Sequence, residues 1–212
     1  MDNQVEILAK LMLYVIIVIS AVFHEYAHGF AAYRLGDPTA KYAGRLTLNP
    51  FAHMDLIGTV LLPLALLFSG GIFIGWAKPV PYNPYNLSDQ KYGSLKVALA
   101  GPAANLIIAL GLGLFLRFAL VSPMILQSAS QTFFQILSTI IYINIVLFLF
   151  NLIPFPPLDG SKILTDLFPQ TENFTMQTGA FGIILALLLA FYIISPVANF
   201  IFSLITGVGG FT

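Results

Sequence analysis

Long apolar runs, separated by short polar stretches, dominate the chain. The first runs from Ile7 to Phe23, broken only by Lys10. Its helical pattern continues to about Leu35, where Gly36-Asp37-Pro38 stops it. Residues 36–55 are polar and rich in turn formers. A second apolar stretch, Leu56 to Ile74, is interrupted by Gly58, Pro63, Gly70 and Gly71. The prolines of the following segment, Gly75 to Pro84, forbid regular helix. Three more runs follow, Leu95 to Val121, Phe133 to Ile153 and Gly179 to Ile205, the last with a kink expected at Pro196. A ~30 Å hydrocarbon core takes about 20 apolar residues per crossing helix. The pattern therefore predicts an all-α polytopic membrane protein in one domain over 1–212. It has about four spanning helices, a re-entrant or broken apolar segment at 56–74, and short extended segments near 40–50 and 75–82.

Composition agrees. Of 212 residues 58% are hydrophobic and only 8% charged, too few to cover a soluble surface. Asp2 and Glu6 precede the first run where a signal peptide has basic residues, and no cleavage pattern closes it, so a retained helix is expected. The formal net charge is zero, and nothing points to nucleic acid. With no cysteine, thiol catalysis and thiolate ligation are excluded. Any metal must sit on His, Asp or Glu.

Inside the first helix lies His24-Glu25-Tyr26-Ala27-His28, an H-E-x-x-H pattern. Residues four apart share a helix face, so both imidazoles can point at one metal with Glu25 beside it. Neutral imidazole is a good zinc ligand, and a three-ligand site keeps a fourth position for a water whose acidity it raises. Glu25 is placed to take that water's proton. Three ionisable groups within five positions at membrane depth are costly without a function. The third ligand lies elsewhere, with Asp159, Asp166, Asp55, His53 and Glu172 as the choices. Asp159 stands out because it follows a long apolar helix in Asn151-Leu152-Ile153-Pro154-Phe155-Pro156-Pro157-Leu158-Asp159-Gly160, where prolines free backbone polar groups that lipid cannot satisfy.

These residues resemble the site-2 proteases, a family of intramembrane zinc metalloproteases. The resemblance rests on the H-E-x-x-H in a membrane helix, on Ala100-Gly101-Pro102-Ala103-Ala104-Asn105 opening a later one, and on the Asn–Pro–Asp–Gly element at 151–160. It covers about residues 15–165. It implies that His24, His28 and Asp159 hold one zinc ion and that Glu25 is the general base. It further implies that Asn151 helps bind the substrate backbone, that Asn105 lines the same cavity, and that Gly160 permits the turn after the ligand. The implied partner is a transmembrane protein or peptide, cleaved within the bilayer. The implied location is a prokaryotic cytoplasmic membrane, with the active site toward the cytoplasm. Many relatives carry a helix before the H-E-x-x-H helix and attached PDZ or CBS domains. This chain looks like a minimal form.

Charge placement offers an independent check. If 56–74 enters and returns on one side and the N-terminus is outside, basic residues 34, 41, 45, 78, 91, 96 and 162 lie inside. That is seven of nine, leaving Lys10 and Arg117 outside, in line with the positive-inside rule. If 56–74 crosses once, only four of nine lie inside, or five with the orientation flipped, and Asp159 and His28 end at opposite faces. Both arguments favour re-entry.

Other residues carry weaker expectations. His53 reads as an interfacial loop histidine, Trp76 and tyrosines 82, 85 and 92 as an aromatic belt, and Arg117 as snorkelling. Gly111 and Gly113 read as close-packing positions. Residues 76–78 offer an extended edge for a substrate backbone. Two further functions compete with proteolysis: a metal or ion transporter, and an inactive scaffold that binds membrane helices. A transporter is expected to show repeated halves, and the chain has none. The intact Glu25 speaks against the scaffold.

Overall fold

The computed structural model of the chain describes residues 2–69 and 75–210. Ten α-helices occur among them: α1 (Asp2–Arg34), α2 (Thr39–Tyr42), α3 (Pro50–His53), α4 (Leu62–Ser69), α5 (Gly93–Val121), α6 (Pro123–Ser128), α7 (Gln131–Asn151), α8 (Asp159–Leu167), α9 (Glu172–Leu189) and α10 (Ser195–Thr206). Helices α1, α5 and α7 and the continuous run Leu185–Thr206 are long and apolar enough to cross a membrane. The protein is an all-helical integral membrane protein, as its hydrophobic pattern predicts. Its lipid-facing side chains make the same point. Ile107, Leu114, Phe118, Val121, Phe200 and Leu204 are all exposed, an apolar exterior suited to hydrocarbon.

Helix α5 is the axis of the molecule and packs against both α1 and α7. On one side Ala109 and Leu116 join Ile141 and Ile145 of α7 and Ala198, Phe202 and Ile205 of α10 in the main apolar core. Gly113 is a close-packing position, since a β-carbon there would stand 2.4 Å from Ile205 Cγ2. Gly111 is not one: a β-carbon there would meet nothing within 4 Å, because the residue faces an open groove between α1, α5 and α7. The kink expected at Pro196 takes the form of a π-helical turn, Ala190–Ile194, ending just before Pro196 in the first turn of α10. A proline cannot accept the regular α pattern behind it, and the wider turn absorbs the mismatch.

The polar region after α1 departs from expectation in one respect. Residues 40–50 do not form an extended segment. Thr39–Tyr42 and Pro50–His53 are short helical turns, with bends between them. The proline before α2 and the Asn49 side chain capping α3 nucleate these turns locally. Residues 75–82 are non-helical and extended as expected, with no strand partner.

The broken segment begins with a π-helical stretch, Leu56–Leu61, capped by the Asp55 carboxylate on the Ile57 and Gly58 amides, and continues as α4. Its two ends lie side by side. The Trp76 N–H donates to Gly58 O (3.1 Å), the Thr59 hydroxyl to Trp76 O (2.8 Å), and the Lys78 N–H to His53 O (2.9 Å). The segment thus leaves and returns at one place, the geometry of re-entry; residues 70–74 lie outside the described part. Tyr14 of α1 donates to Thr59 O (2.5 Å) and ties this hairpin to the first helix.

Asp37 secures the whole region. It is fully buried and accepts from the Thr39 hydroxyl (2.6 Å), the Thr39 amide (3.2 Å), the Asn83 amide (2.6 Å) and the Asn86 side chain (2.9 Å). Burial alone would raise its carboxyl, but these four donors outweigh burial and hold it below the ordinary carboxylate value. Together with the Ser88 N–H to Leu35 O bond (2.7 Å), they fix residues 83–88 to the end of α1.

Two outcomes are expected from this architecture. Single cysteines at Tyr42 and Tyr85, both highly exposed, should be labelled from the same side of the membrane, and a cysteine at Gln127 from the other; labelling of 42 and 85 from opposite sides would contradict re-entry. Replacing Asp37 by Ala should cost roughly 2–4 kcal/mol, since it strands several donors. Because the folded carboxyl titrates lower than the unfolded one, at about 3.9, its contribution is complete above that pH and lost as pH falls through the folded value. Thermal unfolding from pH 6 to 3 should therefore fall more steeply for wild type than for Asp37→Asn.

Candidate active site

His24 and His28 sit one turn apart on α1, and Asp159 opens α8. The three meet. His24 Nε2 lies 3.0 Å from Asp159 Oδ2 and His28 Nε2 lies 3.1 Å from the same oxygen. The two Nε2 atoms are 3.0 Å apart. Among the described residues this is the one group of three side chains able to hold a metal ion. Asp166, Asp55, His53 and Glu172 do not join it.

The other ring nitrogen of each histidine settles what the cluster presents. His28 Nδ1 lies 2.7 Å from Val97 O, a carbonyl that can only accept, so Nδ1 carries the proton. His24 Nδ1 lies 2.7 Å from Asn105 Oδ1 and donates likewise. Each neutral ring then turns an Nε2 lone pair toward the other and toward a carboxylate oxygen. Three acceptors 3.0–3.1 Å apart repel unless a cation lies among them. Their spacing is close to the about 3.3 Å edge of a tetrahedron with ~2.0 Å metal–ligand bonds. The donor set fits zinc.

Two glycines make room for this meeting. A β-carbon on Gly101 of α5 would stand 2.3 Å from His28 Nε2 and 2.6 Å from His24 Nε2, so the imidazoles lie directly on the bare backbone of that helix. A β-carbon on Gly160 would stand 2.4 Å from both the Leu152 and the Ile153 carbonyl oxygens. The chain must double back tightly there to bring Asp159 to the histidines.

Glu25, the next residue after His24, is half-buried, and its Oε2 accepts from the Val80 N–H (2.8 Å). The extended segment thereby lies along the site, with the amides of Trp76, Lys78 and Val80 bonded in turn to Gly58 of the re-entrant segment, His53 of α3 and Glu25 of α1. Alternate amides on one side are what an extended backbone offers. Asn151 ends α7 and is half-buried, its side-chain nitrogen donating to Leu147 O (3.0 Å). Asn105 differs from expectation. It is fully buried behind His24, with both ends of its amide bonded, and has no surface to offer a substrate. His53 is also no exposed loop residue: it is buried and bonds Thr47 O through Nε2 (2.8 Å).

Val80, Gly101, Ser20 and Asn144 were not singled out as site residues by the sequence. A signal existed for two of them. Ser20 stands four residues before His24 on the same face, and Asn144 is a lone amide in the apolar middle of α7.

A helical membrane protein with a buried His–His–Asp centre and a glutamate beside it defines a class, the membrane metallohydrolases. The comparisons give the family. The model described as Peptidase family M50 matches residues 118–195, which include Asp159. A Bacillus subtilis (strain 168) protein with a zinc metalloprotease name, YwhC, is 38% identical over 205 residues, covering 95% of this chain and 89% of its own. Rip2 of Mycolicibacterium smegmatis, also named as a zinc metalloprotease, is 30% identical over 184 residues, covering 86% of this chain and 66% of its own. Rip2 of Mycobacterium tuberculosis is 26% identical over 181 residues, covering 81% and 63%. No solved structure matches the chain. The chain belongs to peptidase family M50, the site-2 protease family, and is a zinc-dependent metalloprotease of the membrane.

Gly101→Ala tests the packing of the centre. The methyl group cannot fit against two rings already held at their Nδ1 atoms, so bound zinc should fall at least tenfold while the helices remain folded. Metal analysis beside circular dichroism of the purified variant is the check.

Proposed function

We propose that the protein hydrolyses a peptide bond within or near a transmembrane segment of another membrane protein, using His24, His28 and Asp159 to hold zinc and Glu25 as general base. The observation that carries this reading is the convergence of three acceptor atoms on one buried point, with Glu25 adjacent. When bound, zinc would polarise a carbonyl and raise the acidity of a water. Glu25 accepts the proton of the attacking water and delivers it to the departing amine nitrogen as the C–O bond forms and the C–N bond breaks. The Val80 N–H keeps one carboxylate oxygen in place meanwhile. Asp159 supplies the anionic ligand, and each imidazole, its Nδ1–H engaged by an oxygen behind it, would offer Nε2 to the metal.

A helical substrate hides its carbonyls in i→i−4 hydrogen bonds. Cleavage requires local unwinding, which in lipid strands backbone groups at a few kcal/mol each. Asn151 and the extended backbone at 75–80 are placed to take up such groups. Substrates should therefore carry Gly, Pro, Asn or Ser near the cut. Seven of nine basic residues fall on the side to which α1 delivers its C-terminus, which supports a site facing the cytoplasm of a prokaryotic cell.

Metal content and activity should separate by residue. In reconstituted protein Glu25→Gln should keep near-stoichiometric zinc and lose at least about a hundredfold in hydrolysis, since an amide cannot accept the proton. Asp159→Ala should lose the metal itself. Zinc bound as in wild type after Asp159→Ala would remove the third-ligand assignment. Retained cleavage in Glu25→Gln would remove the base.

A further inference from the structure

Behind His24, away from the proposed substrate side, a chain of hydrogen bonds runs through three helices. Asn105 of α5 donates through Nδ2 to Asn144 Oδ1 of α7 (2.9 Å) and to Ser20 O of α1 (3.3 Å). Asn144 donates through its own Nδ2 to Ile140 O (2.8 Å) and to the Ser20 hydroxyl (3.0 Å). Ser20, Asn105 and Asn144 are all buried. Polar groups at this depth are costly to place, and a purely structural contact between helices could be made by apolar packing.

An amide can be turned end for end, so its direction must be fixed by partners that have no choice. Backbone carbonyls have none, since they only accept. The Ile140 carbonyl forces Asn144 to turn its NH2 toward it. Reversed, Asn144 would bring two oxygens within 2.8 Å. The Asn144 oxygen therefore faces Asn105, and Asn105 must answer with its NH2, a direction that the Ser20 carbonyl enforces as well. That leaves the Asn105 oxygen toward His24 Nδ1 (2.7 Å). An oxygen there requires Nδ1 to carry the proton, so Nε2 keeps its lone pair for the cluster. Val97 does the same for His28 in one step, through a backbone carbonyl.

We infer that Asn144 is a positioning residue for the metal centre: it fixes the direction of the Asn105 amide and, through it, the tautomer of His24 that can bind a metal. This rests on His24 serving as a ligand, as proposed above. Loss of a group that orients a ligand histidine typically costs 10–100-fold in metal affinity.

The test compares Asn144→Leu with Asn144→Asp. Leucine has a similar shape but no acceptor, so Asn105 loses its shorter bond (2.9 Å), only the longer one to Ser20 O (3.3 Å) still opposes its reversal, and His24 shifts toward the Nε2–H form. Aspartate, buried in apolar surroundings and so held in its protonated form, keeps an acceptor toward Asn105 while its O–H donates to Ile140 O in place of the amide NH2. In metal-free protein labelled with 15N-histidine, the ring-nitrogen shifts should report Nδ1–H at His24 for wild type and Asn144→Asp, and a change toward Nε2–H for Asn144→Leu. Zinc affinity by chelator competition should fall 10–100-fold in the leucine variant and less than about threefold in the aspartate variant. A packing role predicts the reverse order, because leucine suits a bilayer interior better than aspartate. Leucine equal to or better than aspartate in both readouts would overturn the inference. Should the leucine variant not fold, as judged by thermal unfolding of the metal-free protein, Asn144→Val, with one side-chain atom fewer and no acceptor, carries the same comparison. The tautomer is read without metal, so it decides the inference even if wild type binds no zinc, a result that would instead remove the ligand assignment.

Discussion

Three acceptor atoms pressed together in the interior of a membrane protein are an arrangement that cannot stand by itself. Two imidazole lone pairs and a carboxylate oxygen, each about 3 Å from the others, repel at short range where the surroundings screen poorly. Everything nearby works to hold them there. Val97 and Asn105 hold the rings from behind, Gly101 removes the side chain that would separate them from α5, and Gly160 lets α8 begin where Asp159 can reach them. A cation turns this repulsion into attraction, so the fold and the metal are two halves of one energy balance.

The bilayer sets the terms on which that balance is met. Helices α1, α5 and α7 turn apolar side chains outward and have little apolar contact to gain from one another that lipid would not also supply. Close contact between them rests instead on small residues and on buried polar bonds. The Ser20–Asn105–Asn144 cluster joins all three at the depth of the histidines. The same bonds that engage His24 from behind thus also join the three helices.

The spanning helices were readable because length and hydropathy alone decide which segments cross a bilayer, and α1, α5, α7 and the final run all stood out. The H-E-x-x-H was readable because a helix fixes the relation of residues four apart. Asp159 was reachable from its setting in a proline-broken turn. What sequence could not supply were relations between helices. That Asn105 lies fully buried behind His24 depends on the rotation of α5 against α1, which no local pattern encodes. Residues 40–50 went astray for a different reason: many polar turn formers suit extended and helical turns alike, and capping by Asn49 decided between them. Re-entry at 56–74 was legible through charge placement and the need to bring Asp159 and His28 to one face, while the bonds that close it, from Trp76 to Gly58 and from Lys78 to His53, pair backbone groups that carry no sequence signature.

The extended segment beside Glu25 has a property that follows from its composition. Its inward amides belong to Trp76, Lys78 and Val80, and the residues on either side of Val80 are Pro79 and Pro81. A one-residue slip in either direction would turn a proline toward Glu25, and proline has no N–H to give. The carboxylate would lose its partner, and every side chain of the segment would reverse its facing. The segment cannot slide by a single residue, and the two prolines act as stops on either side of the amide that fits.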